Sequence, residues 1–130
     1  MEAFKRGFEA INRGDVEAAL EELDPDVEWH PAVQALVGGE ATVYLGHAGV
    51  REMLRDLWEA FAVLDAEYPE IRDLGDRCVA IGRIRARGRE SGAEIESPLG
   101  YVIDFKDGKA IRLRAYLDGD EALEAAGLSE

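Results

Sequence analysis

Three consecutive runs decide the fold: RCVAIGRIRARGR (77–89), AEIESPLGYVIDF (93–105) and AIRLRAYLD (110–118). Each alternates apolar and polar residues for much of its length, the period-2 pattern of a strand with one buried face. Ser91-Gly92 and Asp107-Gly108 supply turn residues between them. The stretch predicts a β-meander. A two-residue loop at Asp107-Gly108 would set Ile103 opposite Arg112. One more loop residue pairs Phe105 with Ile111, Ile103 with Leu113, Tyr101 with Ala115 and Leu99 with Leu117, and every partner is then apolar or aromatic. A one-residue slip turns a whole strand over, so the longer loop is preferred. Carrying the same parity to the preceding strand puts Val79, Ile81, Arg83 and Arg85 on the inward face.

Upstream, Phe4, Phe8 and Ile11 form one helical stripe, and Asp15 caps a second helix that buries Val16, Ala19, Leu20 and Leu23. VEWHP (27–31) reads as a short strand, with Val27 and Trp29 on one side and Glu28 and His30 on the other. AVQALVGGEATVYLG (32–46) is too apolar for a solvated loop and too glycine-rich for a helix, which suits either a lid or a loop packed on the core. Val50, Met53, Leu54, Leu57, Trp58 and Phe61 then mark a long core helix from Gly46 or His47 to Ala62. LDAEYPEIRDL (64–74) is a weak strand that Pro69 confines to an edge or a bulge. A short helix over 119–127 closes the chain. Segregated helices followed by a meander give an α+β fold: one domain, residues 1–130, with a curved, cone-shaped, mixed or antiparallel sheet wrapped on about three N-terminal helices.

Composition narrows the function. The chain has 130 residues, 28 acids against 15 bases, a net charge of −13 and 47% apolar residues. Such a charge repels phosphate backbones and anionic membrane surfaces, so no nucleic-acid or membrane partner is expected. The lone Cys78 fits a reducing compartment, and no signal-like or spanning apolar run is visible, so a cytoplasmic location is expected. Two separated His and one Cys show no metal-ligand spacing, and no phosphate loop follows a strand. Neither a metal nor another cofactor is expected.

The element order, with NRGDVEAALEELDPDVEWHP (12–31), YLGHAGVREML (44–54) and YVIDFKDGKAIRLRAYLD (101–118), resembles the SnoaL-like, polyketide cyclase-type branch of the nuclear transport factor 2-like (ketosteroid isomerase-like) superfamily. The resemblance implies the cone fold and a ligand cavity. It does not select a reaction, because the fold hosts isomerases, cyclases, hydrolases, dehydratases and binding modules. The positions of the steroid isomerases' tyrosine, base and acid hold Gly7, Trp29 and Tyr101. The epoxide hydrolases' arginine is matched by Arg83, but Arg85 and Ala115 stand where their two aspartates would be.

Candidate site residues follow. Tyr101, inward at mid-strand, could donate a hydrogen bond to a carbonyl or enolate. Arg83, inward by parity, would read a carbonyl or carboxylate, or pair internally with Glu28 or Asp65. His30, re-aimed by Pro31, is the candidate for proton transfer. Trp29, Tyr44, Trp58, Phe61 and Ala115 would line a pocket for a small, apolar, ring-shaped molecule. Two readings stand together: an isomerase, cyclase or hydratase, and a non-catalytic ligand-binding or dimerisation module. The outer sheet face, with Arg112, Arg114, Tyr116 and Asp118, is the expected homodimer surface, as it is in relatives.

Overall fold

The computed structural model describes residues 2–32 and 42–127. Helices α1 (Glu2–Asn12) and α2 (Val16–Glu21) lead into β1 (Leu23–His30). A short β2 (Tyr44–Leu45) precedes α3 (Gly46–Ala60). Then come β3 (Phe61–Asp73), β4 (Arg77–Gly88), β5 (Glu94–Lys106), β6 (Lys109–Tyr116) and α4 (Gly119–Ala125). The six strands form one sheet in the order β2-β1-β6-β5-β4-β3, antiparallel except where β1 runs parallel to β6. The architecture is therefore the expected α+β arrangement of N-terminal helices and a mixed sheet. The lid reading of 32–46 falls largely on 33–41, outside the described residues.

Local chemistry sets the element ends. Asp15 accepts a hydrogen bond from the Ala18 amide at 3.1 Å and starts α2. His47 donates from Nε2 to the Leu23 carbonyl at 2.9 Å, pinning the first turn of α3 to the start of β1. At the other end of α3, Arg89 Nη2 donates to the carbonyls of Trp58 (2.7 Å) and Phe61 (3.2 Å), satisfying orphaned acceptors beside the helix C-terminus. The helix stops at Ala60, earlier than its apolar spacing suggests. Phe61 is already extended, at φ −122° and ψ 130°, and faces Gly88 across the first β3–β4 pair.

The core lies between the helices and the inner face of the sheet. Phe4, Leu20, Val50, Met53, Leu54 and Leu57 come down from α1, α2 and α3. Val27 and Trp29, Leu113, Ile103 and Tyr101 rise to meet them from β1, β6 and β5. Each fully buried large side chain contributes roughly 1.5–3 kcal/mol relative to exposure. The β5–β6 register holds at mid-strand, where Tyr101 faces Ala115 and Ile103 faces Leu113. Nearer the turn it differs from the expected pairing. Lys106 faces Lys109 and Phe105 faces Ala110, across the two-residue turn Asp107 (φ 52°) and Gly108 (φ 82°). The extra residue is Ile111, which bulges from β6 where the register shifts between Asp104 and Phe105, rather than lengthening the loop.

The parity of β4 is corrected. Ala80 faces Tyr101, Gly82 faces Leu99 and Ile84 faces Ser97, so Cys78, Ala80, Gly82, Ile84 and Ala86 form the inner row. Val79, Ile81, Arg83 and Arg85 point outward. The Gly88 amide bonds the Ala93 carbonyl at 3.1 Å across a four-residue connection, which pairs even-numbered residues of β4 with odd-numbered residues of β5. Val79 is nevertheless buried, because α4 packs Ala122 against Val79 and Val102 on the outer face, with Ile81, Tyr116 and Leu123 around them. The outer face is thus partly covered by the chain itself.

β3 carries the bulge that Pro69 foreshadowed. Glu67 faces Arg83 and Glu70 faces Ile81, so Tyr68 and Pro69 together oppose the single residue Gly82. A Cβ at Gly82 would lie 1.8 Å from the Glu67 carbonyl oxygen and 2.8 Å from Tyr68 Cα. Only glycine permits so close a backbone crossing.

Candidate ligand-binding cavity

Between α1, α3 and the inner sheet face lies a narrow cleft with a cavity volume of about 60 Å³. Phe8 and Ile11 supply one wall, Leu57 and Trp58 another, and Trp29, Tyr68 and Tyr101 the sheet side. Asn12 is exposed and Pro31, Ala32, Trp58 and Tyr68 are among the half-buried lining residues toward the rim. A smaller cavity of about 20 Å³ shares Phe8, Ile11 and Trp29 and runs beneath α1 and α2 toward Leu23 and Ala110. Its one carboxylate, Glu22, is held by Arg6 at 2.9 and 3.0 Å.

The larger cleft has the more distinctive chemistry. Phe8 stands at its centre, with ring centroids 5.2 Å from Tyr68, 5.4 Å from Tyr101 and 5.9 Å from Trp29. Tyr101 and Trp29 meet edge to face at 6.0 Å, and Tyr68 and Tyr101 at 6.2 Å. Such tilted geometries suit ring quadrupoles and hold the aromatic wall rigid. Within it, Trp29 Nε1 donates to the Tyr101 hydroxyl oxygen at 3.1 Å, a fully buried bond. The oxygen's acceptor role is engaged there, and its proton remains to be donated. Burial pushes the Tyr101 phenol up to about 12, an effect the indole N–H partly offsets. Burial, reinforced by the neighbouring Tyr101, raises Tyr68 well above the ordinary tyrosine value. Both phenols are therefore protonated hydrogen-bond donors at neutral pH.

Of the residues singled out in the sequence, Trp29, Trp58 and Tyr101 come together on this cleft. Tyr44 is buried elsewhere, its hydroxyl 3.4 Å from Asp56 Oδ2. Phe61 is buried at the α3–β3 junction, and Ala115, although opposite Tyr101, is not part of the cleft wall. His30 and Arg83 correct the expectation that they face inward. Trp29 takes the inner side of β1, so His30 lies on the outer side, with Nε2 3.8 Å from Glu28 Oε1. Arg83 is exposed on the outer face in a shallow charged depression with Asp65, Glu67, Arg85 and Glu96. Its two candidate partners are engaged by other arginines, Asp65 with Arg85 at 3.8 Å and Glu28 with Arg112 at 3.4 Å. Tyr68 escaped the sequence reading. Its one signal was the adjacent Pro69, which marked a bulge of the kind that re-aims side chains next to sites.

The described lining residues of the cleft include no Asp, Glu, His, Lys or Arg. Among the described residues, no group of three or more His, Cys, Asp or Glu could hold a metal ion. No described helix is long and apolar enough to cross a membrane. What this wall can do is enclose apolar surface and donate hydrogen bonds to an oxygen.

Comparisons with known proteins agree with the architecture. A nuclear transport factor 2-like protein of unknown function from Burkholderia pseudomallei is 24% identical, with a TM-score of 0.81 over 95% of this chain and 94% of that one. TerC, in a crystal structure with polyporic acid, is 26% identical, with a TM-score of 0.78 over 98% and 95%. A Sinorhizobium meliloti protein provisionally named a polyketide cyclase is 22% identical, with a TM-score of 0.70 over 89% and 94%. No curated protein matches the sequence. The SnoaL-like domain family matches residues 4–113, most of the helices, the sheet and the whole aromatic wall, and the chain belongs to that family.

Proposed function

We propose that the chain is a small-molecule-binding domain whose cleft takes a mostly apolar, ring-bearing ligand and sets a carbonyl-type oxygen of it against Tyr101. The observation that carries this is the buried Trp29–Tyr101 hydrogen bond. It fixes the phenol and leaves its proton available in an otherwise apolar wall. With Arg83 outside the cleft, a neutral carbonyl suits the wall better than a carboxylate, whose burial without a cation is costly. Proton transfer by a side-chain base is not supported, since His30 lies on the other side of the sheet. A catalytic role would have to rest on polarising a carbonyl through Tyr101, with rearrangement driven by the substrate's own groups. The co-crystal of TerC with polyporic acid supports an aromatic ligand class.

A homodimer through the outer face belongs to the same proposal. There Asp104 meets Arg77 at 2.6 Å and Arg114 at 3.6 Å, while Asp104 Oδ2 and Arg114 Nε are buried without hydrogen-bond partners in the single chain. The test is titration with 1-indanone, a neutral aryl ketone, followed by the fluorescence of Trp29 and Trp58. Saturable one-to-one quenching is expected, weakened in Tyr101→Phe, with the ligand recovered unchanged if the domain only binds. Absence of saturable binding of 1-indanone and of other simple aryl ketones would sink the reading.

A further inference from the structure

We infer that Tyr68 and Tyr101 act together as a two-donor clamp on one ligand oxygen, so that the cleft selects aryl ketones, quinones or enols over hydrocarbons of the same shape. This rests on the cavity reading above and names its ligand class. Tyr68 comes from β3 and Tyr101 from β5, and both line the same cleft with ring centres 6.2 Å apart. Neither phenol has an acceptor for its proton among the described residues. Tyr101 takes part only as acceptor, from Trp29, and Tyr68 makes no hydrogen bond there. A phenol whose proton has no acceptor in the cleft forgoes a hydrogen bond worth roughly 0.5–1.5 kcal/mol. Tyr101, buried, and Tyr68, half-buried, thus present two donor protons to one cleft, and an acceptor carried by the ligand would satisfy both. A carbonyl oxygen has two lone pairs and can accept from both phenols at about 2.7 Å each.

Tyr68 also has a dedicated backbone device. The bulge at Tyr68-Pro69 crosses Gly82 so closely that no side chain fits there. A bulge with an obligatory glycine beneath it holds the phenol at one height above the sheet, between Phe8 and Tyr101. The same fixed position limits where the ligand oxygen can sit, so specificity is set by the rigid strands. An ammonium or amide N–H placed there would meet donors, and such ligands are rejected.

The experiment compares 1-indanone with indane, its counterpart lacking the carbonyl, on wild type, Tyr68→Phe, Tyr101→Phe and the double variant. Affinities are read by ligand-observed NMR, and the carbonyl stretch of bound 1-indanone by infrared difference spectroscopy. Each single variant is expected to weaken 1-indanone about 3–10-fold while leaving indane within about twofold, as loss of one neutral hydrogen bond requires. The stretch should lie at low wavenumber in wild type, return partway in each single variant, and reach its apolar-solvent position in the double variant. If Tyr68→Phe leaves both readouts at wild-type values, Tyr68 is not a donor and the clamp is overturned. If indane binds but 1-indanone is no better in wild type than in the double variant, the clamp is overturned while the cavity stands. If neither compound binds, the cavity reading itself fails and takes the clamp with it.

Discussion

Replacing Gly82 by alanine tests the link between the fold and the aromatic wall. The new Cβ would lie 1.8 Å from the Glu67 carbonyl oxygen and 2.8 Å from both Glu67 C and Tyr68 Cα. Real Cβ atoms essentially never come nearer than 3.0 Å, so β3 must retreat by about 1.2 Å, the difference between 3.0 and 1.8 Å. The obstruction is backbone, so no side-chain rotamer relieves it. β3 is an edge strand and can give way, but only by loosening its pairing with β4 on either side of the bulge. Forced shifts of this kind cost about 1–3 kcal/mol and occasionally more. Loss of ladder hydrogen bonds adds to that, so a destabilisation of about 2–4 kcal/mol is expected. For a chain of this length it corresponds to a fall of roughly 6–16 °C in Tm. Urea unfolding followed by tryptophan fluorescence measures it. Gly7→Ala is the control: Gly7 is within α1, and its added Cβ would meet nothing nearer than 3.7 Å. That variant should gain about 0.5–1 kcal/mol from helix propensity. Should Gly82→Ala unfold within about 0.5 kcal/mol of wild type, the bulge does not cross Gly82 as described, and the positioning of Tyr68 loses its basis.

Three further outcomes are expected. Stability should fall at alkaline pH: Tyr101 titrates near 10 when unfolded and about 12 when folded, so its contribution is complete below pH 10 and is lost as pH rises to about 12, a few kcal/mol at most. Cys78, raised by burial from 9 to about 11, opens the same window near pH 9, and urea midpoints from pH 7 to 11 should show the decline. Asp104→Asn removes the counter-charge of Arg77 and Arg114 and should cost about 1–2 kcal/mol in urea unfolding, while an unchanged midpoint would mean that solvent already screens the cluster. Sedimentation at micromolar concentration should show a dimer, and a monomer there would reject the outer face as a self-association surface.

The misplacement of β4 and of Arg83 has one physical source. The β5–β6 register was legible because the inner face of that pair is apolar and aromatic while its outer face carries Asp104, Arg112 and Arg114. β4 gives a false contrast. Its inner row is Cys78, Ala80, Gly82, Ile84 and Ala86, mostly small residues, because the β3 backbone crosses close above Gly82. Its outer row opens with Val79 and Ile81, the most hydrophobic pair on the strand, because α4 covers them. Hydrophobicity therefore pointed to the wrong face, and Arg83 followed it inward. The terminal helix could be read in the sequence, but its docking place could not, since docking is a tertiary fact that period-2 patterning does not carry.

Tyr68 was hidden for a related reason. A bulge can be suspected from a proline, but which residue it presents depends on what the partner strand places beneath it. Here that is Gly82, fourteen positions away in the sequence. The two misreadings meet at this glycine. It makes the inner face of β4 look weakly hydrophobic, and it makes room for the strand that carries the second phenol. The most informative residue for the site is thus one without a side chain, and its meaning becomes legible only once the neighbouring strand is in register.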